Sequence, residues 1–481
     1  MRNMKKRSTL VLMIVCLLIV SISYCVLAQE KQVLTGEKIG PWDYISSGEE
    51  WEPVTTTTYL GVLKGSFYEM GFQYGQRAAY GTTENSDAVW AECLESCDNS
   101  IKEVKARLAK YLEQLNDYSP QTVEFLKGMA DGAAVILDKS PFAKDSTNFE
   151  RVFSLNVSSA LTAAPGPAEG CNGAWIGKEA TKDGRAVLVY EGQGGNMGND
   201  RWGRKAVFIA VPDDPKAHVV FCFTGTGCIG RGGILFNDAG VVNSLFASDS
   251  GDFPETKDYG VEFHVSRFHA AFYGDSAEKA AEIVNLGSPE YREKTGRKTV
   301  LRTRGVVLMF GDANIGLVGE YTAKRYAVRR PGDMGETNSA YIAQANHNYT
   351  NFSMDENNEK TDIPMTKFAP EVKDDSSYYR FWSPMWYIRN NYGKLDLEMV
   401  LRGLAPLHDR YDKDGNKYGY ERGKTFCTHK FNTKTGDPGG SHGVAVVVPE
   451  TLEVYNIPCW PCRFVDQEWN YYNLNDYLGL R

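Results

Sequence analysis

Three features of the sequence predict an α+β fold. Between residues 66 and 135 the apolar positions recur at helical spacing, with capping residues at the breaks. From Cys171 onward, short β-rich runs alternate with tight turns, the pattern of antiparallel hairpins. Between the two lies Thr162–Gly170, too rich in Pro and Gly to be helix or strand. Helices in blocks and hairpins in blocks are most simply arranged as layers of sheet covered by helices.

The chain has 481 residues, 42% of them hydrophobic and 24% charged, within the ordinary range of a globular protein. Its 27 Tyr, 22 Phe and 9 Trp supply apolar area for a large core. A net charge of -8 leaves no basic footprint for nucleic acid or for an acidic membrane surface.

Residues 1–28 read as a cleavable export signal. Met1–Arg7 is basic, Ser8–Leu27 is almost wholly apolar, and Ala28 ends a site of small or medium residues. The alternative is an uncleaved anchor, since the apolar run is long enough to span a bilayer. No later segment is, so after signal removal no stable membrane insertion is expected. Of ten cysteines, Cys16 and Cys25 fall in this leader. Export permits disulfides among the others, and Cys222 with Cys228, bracketing a glycine turn, is a plausible pair.

Residues 29–58 are polar and read as an N-terminal extension, followed by a mainly helical segment, 59–170, and a sheet-rich one, 171–481. After Tyr59, a short strand ends at Gly65. Ser66 can cap the next helix, and Glu69 in its first turn suits the helix dipole. Gly71 and Gly75 lie on one face of that helix at a cost of about 1 kcal/mol each, which points to close backbone approach by another element. Cys93 and Cys97 share a face of an earlier helix and read as buried structural thiols. Ile101–Leu115 has amphipathic spacing. Ser119-Pro120 starts a further helix that carries Phe125, Leu126, Met129 and Ala133 inward.

Downstream, Ala174–Ile176 and Ala186–Tyr190 flank Lys182-Asp183-Gly184-Arg185, a hairpin signal. Further hairpins join Val207–Val211 to Val219–Phe223, Ile234–Phe236 to Val241-Val242, Val306–Phe310 to Leu317-Val318, and Val444–Val448 to Val454–Ile457. Helices are expected at Ser276–Asn285, Tyr378–Asn391 and Asp396–Leu404.

Cys171 stands where a flexible loop enters a strand, a place that usually holds a small core residue. Two features point to chemistry instead. Gly170 permits the strained backbone of an autocatalytic N-to-S acyl shift. Release of Cys171 as a new N-terminus would also set an amine beside its thiol. An α-amino group titrates at about 7.7–8.0 and serves as a base near neutral pH, which an amide nitrogen cannot do.

Seven segments carry a resemblance: Leu63–Gly75, Phe125–Ala133, Cys171 followed by Ala180–Gly184, Phe236–Gly240, Ala345-Asn346-His347, Ser377–Arg380 and Thr425–His429. In this order, from about residue 59 to 465, they resemble the penicillin acyltransferase-like family of autoproteolytic N-terminal nucleophile cysteine hydrolases. The resemblance implies a four-layer αββα sandwich of two stacked, mainly antiparallel sheets. It also implies cleavage between Gly170 and Cys171, and a Cys171 thioester formed from a small-molecule amide or acyl substrate. It makes Asn346 an oxyanion donor and Arg380 an active-site arginine, with no cofactor and no metal. Many relatives carry Gly-Arg-Asn-x-Asp on the strand after the first hairpin, where this chain reads Val189-Tyr190-Glu191-Gly192-Gln193. Tyr190 or Glu191 is then expected to substitute, Glu191 by holding the amine or Arg380. The readings that follow are an amidase with possible acyl transfer, a bile-acid or N-acyl amino-acid amidase, or a non-catalytic binding protein on the same fold.

Three motifs mislead. Gly225-Thr226-Gly227-Cys228-Ile229-Gly230 fits a dinucleotide fingerprint, but no helix follows, so a glycine loop near the substrate is the better reading. Asp412-Lys413-Asp414-Gly415 with Glu421 has Arg410 at the first position of a calcium loop and reads as a solvated turn. Cys459-Trp460-Pro461-Cys462 has redox spacing without the helix that lowers a thiol pKa. The seven histidines show no metal-ligand spacing.

Overall fold

A computed structural model describes residues 33–35, 56–161, 170–194, 204–248, 259–333, 340–365, 376–421, 423–431, 438–457 and 460–480. The expected signal, most of the junction loop, and Cys459 lie outside these residues. Strand β1 (Val33–Thr35) pairs with β2 (Thr56–Gly65), so the expected boundary at residue 58 falls inside a strand.

The upstream helices begin as their caps dictate. Ser66 caps α1 (Phe67–Arg77) in a reciprocal box with Glu69. After α2 (Ala79–Ser96), Ser100 caps α3 (Ile101–Tyr118), and Ser119 caps α4 (Pro120–Gly132). The short α5 (Ala134–Leu137) leads to α6 (Asn148–Leu161). The close approach expected of Gly71 and Gly75 is between α1 and α4. A Cβ on Gly71 would lie 2.0 Å from the Phe125 carbonyl oxygen, and one on Gly75 2.1 Å from that of Met129. Gly128 and Gly132 reciprocate, 2.0 and 2.1 Å from the carbonyl oxygens of Tyr68 and Phe72. Four glycines thus bring two helix backbones into contact.

Downstream come β3 (Asn172–Ile176), β4 (Val187–Gly194), β5 (Arg204–Pro212), β6 (Val220–Gly225), β7 (Ile234–Asn237) and β8 (Val242–Phe246). Helices α7 (Phe263–Tyr273), α8 (Ala277–Leu286) and α9 (Pro289–Thr295) precede β9 (Val306–Gly311), β10 (Gly316–Tyr321), β11 (Tyr326–Arg329) and β12 (Tyr341–Gln344). The short strands β13 (Ser353–Met354) and β14 (Lys360–Thr361) then lead to α10 (Ser376–Asn390) and α11 (Leu397–Met399), which runs on as a π-turn over Val400–Leu404. The chain ends with β15 (Arg410–Tyr411), β16 (Lys417–Tyr418), β17 (His429–Phe431), β18 (Pro438–Val448), β19 (Glu453–Ile457) and β20 (Asn470–Asn473).

Among the described residues one sheet has eleven strands, ordered β1-β2-β5-β6-β7-β8-β9-β10-β11-β13-β14. A second, ordered β12-β3-β4-β18-β19-β20 with β17 also on β18, has seven. Between the described strands every pairing is antiparallel except β2 with β5, which a hairpin reading could not anticipate. The period-2 alternation of strands divides the core. Ala206, Phe208 and Ala210 of β5 face the upstream helices, while Val207, Ile209 and Val211 face the second sheet. In that sheet Trp175, Leu188 and Val447 face inward, and Ala174, Val189 and Val446 pack against Phe381, Met385 and Leu404 of the α10–α11 region. Helices α7 and α8 cover the β9–β10 end of the larger sheet. The chain is therefore α+β.

The Cys222–Cys228 disulfide considered plausible from the sequence is not formed. Hydrogen bonds close that glycine loop instead, from the Gly230 and Arg231 amides to Thr224 Oγ1 and from the Gly225 amide to the Arg231 carbonyl. Strand β7 follows directly, with no helix on which a dinucleotide could sit. The turn after Asp412 is solvated as expected, with Lys413, Asp414 and Asn416 exposed. Asp412 is buried, and its carboxylate accepts from the Asp414 and Asn416 amides, Asn416 Nδ2 and Tyr418 OH. No helix among the described residues is long and apolar enough to cross a membrane.

Candidate active site

Strand β3 lies between β12 and β4. Gln344 pairs with Gly173, and continuing that antiparallel register by two residues sets Asn346 opposite Cys171. The buried Cys171 amide donates to Asn346 Oδ1 at 2.8 Å. Asn346 is held at both ends: Ser377 Oγ accepts its amide at 2.7 Å, and its Nδ2 donates to the Ala247 carbonyl at 2.6 Å.

Arg380 reaches in from α10. Its Nη1 donates to the Cys171 carbonyl at 2.7 Å and to Asn346 Oδ1 at 2.8 Å. This network fixes the Asn346 amide, because a flipped side chain would point its NH2 at two other donors. Its carbonyl oxygen holds the Cys171 nitrogen, and one N–H of its NH2 donates to the Ala247 carbonyl, so the oxyanion role expected of Asn346 falls to the second N–H. The guanidinium also lies against Gly170, where an added Cβ would be 2.5 Å from Cζ and Nη2. The φ of Gly170 is outside the left-handed region. Close approach by Arg380, and not backbone strain, is what calls for glycine there.

Tyr190 and Cys171 share the inter-sheet core. The Tyr190 hydroxyl donates to Cys171 Sγ at 3.7 Å. Burial, and then the nearby Cys171, push the Tyr190 hydroxyl well above the usual phenol range, so it stays a proton donor at neutral pH. Glu191 points to the opposite face of β4. Its Oε2 accepts from Asn172 Nδ2 at 3.0 Å, and not from the Cys171 nitrogen or Arg380 as expected. Burial raises its carboxyl well above the carboxylate range, while the bond from Asn172 opposes the shift.

Sequence reasoning missed Arg267, on α7. Its Nε donates to Asn243 Oδ1, Nη1 to the Gly230 carbonyl, and Nη2 to the carbonyls of Gly233 and Asn243, all at 2.8–2.9 Å. Burial lowers its pKa to about 10, which leaves it a cation at neutral pH. Its charge partly offsets the rise that burial gives the Tyr190 hydroxyl. The only signal was an arginine set in the apolar run Phe263–Tyr273.

A second group of reactive side chains lies behind Glu191. Although separated in sequence, the ligand atoms of His408, Cys427, His429 and Cys462 all lie within 4.8 Å of one another. The fold thus assembles a donor set that spacing did not reveal. The arrangement at Cys171 can position a thiol, the nitrogen of the same residue and a cation on one peptide bond, the parts that a self-activating nucleophile requires.

No protein-family model matches this sequence, and no curated protein matches it either. Among solved structures, the chain is similar to a mutant of the conjugated bile acid hydrolase from Clostridium perfringens, at a TM-score of 0.37 and 11% identity over 64% of this chain and 93% of that one. It is also similar to penicillin V acylase from Agrobacterium tumefaciens, at a TM-score of 0.26 and 9% identity over 60% of this chain and 82% of that one. Likenesses at such scores do not bear on the chemistry, which has to be read from the residues themselves.

Proposed function

We propose that this protein is a self-processing cysteine hydrolase of the N-terminal nucleophile type, acting on linear amide bonds and capable of passing the acyl group to an amine. The observation that carries the reading is the triangle of Cys171, Asn346 and Arg380, in which both the nitrogen and the carbonyl of one cysteine are held by buried polar groups. Helices and sheets in the order described support a four-layer αββα sandwich. Export by the N-terminal signal belongs to the same proposal, as does a small-molecule amide or acyl substrate.

In self-cleavage, the Cys171 sulfur adds to the Gly170 carbonyl as its proton passes to the departing Cys171 nitrogen. The C–N bond breaks, and water hydrolyses the thioester to leave a Gly170 carboxylate and a free Cys171 amine. In turnover that amine takes the thiol proton, the sulfur attacks the substrate carbonyl, and the amine returns the proton to the leaving nitrogen. Water or an acceptor amine then resolves the thioester. Asn346 Oδ1 orients the amine, Arg380 fixes the adjoining carbonyl, and Tyr190 supplies a proton donor beside the sulfur. Arg267 adds positive potential beneath them.

The test is denaturing electrophoresis with peptide mapping after a thiol-reactive acyl probe. Wild-type protein should appear as two fragments whose junction is Gly170/Cys171, with the probe on Cys171, and Cys171→Ala should stay whole and unlabelled. A single uncut chain that does not react at Cys171 would leave only a binding protein.

A further inference from the structure

We propose that His408, Cys427, His429 and Cys462 form a closed structural site for one zinc ion. Structural zinc takes four such ligands tetrahedrally, and bonds of ordinary Zn–N and Zn–S length place neighbouring ligand atoms about 3.3–3.8 Å apart. Here His429 Nε2 lies 3.3 Å from His408 Nε2, 3.3 Å from Cys427 Sγ and 3.4 Å from Cys462 Sγ. One vertex of the tetrahedron therefore already has all three of its edges.

The ligands are held ready by their surroundings. Cys427, in the bend before β17, and His429, the first residue of that strand, stand two apart and bring their side chains together. The His429 ring stacks on Trp460, 4.4 Å away and 2° from parallel, which aims its Nε2. The Cys427 amide bonds to the Leu407 carbonyl at 3.1 Å, setting His408 alongside. Cys462 comes from the turn Pro461–Phe464. Three separate segments thus converge on one point.

Charge favours the ion as well. Zinc displaces the two thiol protons to solvent, and two thiolates with two neutral imidazoles balance its charge, so the buried cluster is neutral overall.

The site would brace the nucleophile from behind. Asn172, next to Cys171, donates to Glu191 Oε2 and to the Phe426 carbonyl at 3.2 Å, and Phe426 is joined to Cys427. The alternative for the same thiols is a Cys427–Cys462 disulfide, which would leave the two histidines with no part in the cluster.

The full-length chain, expressed in minimal medium with zinc and purified without chelator, should carry one zinc per chain by elemental analysis. Expressed with cobalt instead, it should show the intense visible bands of tetrahedral cobalt and a thiolate-to-cobalt charge-transfer band. His408→Ala, which alters a half-buried ligand, should cut zinc retention in a metal-buffered competition at least tenfold, and Cys427→Ser should remove the charge-transfer band. If either variant fails to fold, the wild-type cobalt spectrum decides. Absence of stoichiometric zinc together with a Cys427–Cys462 disulfide in the peptide map would overturn the proposal, as would cobalt bound without a charge-transfer band. Cys171→Ala should leave zinc content and spectrum unchanged, so failure of this site is distinguishable from failure of the proposed hydrolase.

Discussion

Replacing Gly170 with alanine should slow self-cleavage through Arg380. The new Cβ would lie 2.5–2.6 Å from three guanidinium atoms, and normal contact requires at least about 3.5 Å. Arg380 must therefore retreat by about 1 Å. Its Nη1 bonds to the Cys171 carbonyl and to Asn346 Oδ1, at 2.7 and 2.8 Å, would then stretch beyond useful length. Hydrogen bonds from a charged donor contribute about 1.5–3 kcal/mol each. Losing the alignment of both would cost about 3–6 kcal/mol, a slowing of roughly 100- to 10,000-fold at 1.4 kcal/mol per decade. Alanine is otherwise compatible with the backbone, since the φ of Gly170 is not left-handed. The assay is a time course of freshly translated precursor on denaturing gels, run for wild type, Gly170→Ala, Arg380→Ala and the double variant. If Arg380 mediates the effect, Gly170→Ala should change little once the arginine is gone. Cleavage of Gly170→Ala at the wild-type rate, or an undiminished effect in the Arg380→Ala background, would refute the argument.

Tyr190→Phe should lower kcat/KM about tenfold, the loss of roughly one hydrogen bond beside the sulfur, with the folded state intact by circular dichroism; an unchanged rate would remove Tyr190 from the mechanism. Burial lowers the His269 pKa from 6.5 to about 4, so its proton is taken up by the unfolded chain before the native one. Stability from this group is full above about 6.5 and is lost as pH falls towards 4, by about 3 kcal/mol at 1.36 kcal/mol per unit. The buried His264, also shifted down by burial, acts in the same direction. Urea unfolding of His269→Gln should therefore show a shallower decline between pH 6.5 and 4, and a decline as steep as wild type would count against it. Gly71→Ala ordinarily would gain helix stability of about 1 kcal/mol, yet its Cβ would sit 2.0 Å from the Phe125 carbonyl oxygen. A net loss of about 1–3 kcal/mol is expected from forcing α1 and α4 apart, and a raised denaturation midpoint would show that the contact relaxes freely.

What the sequence disclosed and what it hid divide along one physical line. Signals confined to a few neighbouring residues were legible: Ser66 with Glu69, Ser119 with Pro120, and Gly184 and Gly240 at positive φ in their turns. Gly71 and Gly75 were legible as a demand for close approach, although not for α4 as the partner. Helix α7 gave no signal because Phe263–Phe272 is buried on every side, so no polar face marks its period. The parallel pairing of β2 with β5 joins strands far apart in the chain, where no turn announces the register. The site divides in the same way. Cys171 could be singled out from its loop and strand, but the orientation of Asn346 could not. Its amide direction is decided by Arg380 from one side and the Ala247 carbonyl from the other. The same reasoning applies to the His408, Cys427, His429 and Cys462 group. Only the pair two residues apart shares a local segment, and the other two ligands come from the stretch beyond the π-turn and from the turn Pro461–Phe464. A chemistry that depends on convergence has to be sought in the fold, because the residues that perform it are neighbours only after the chain has packed.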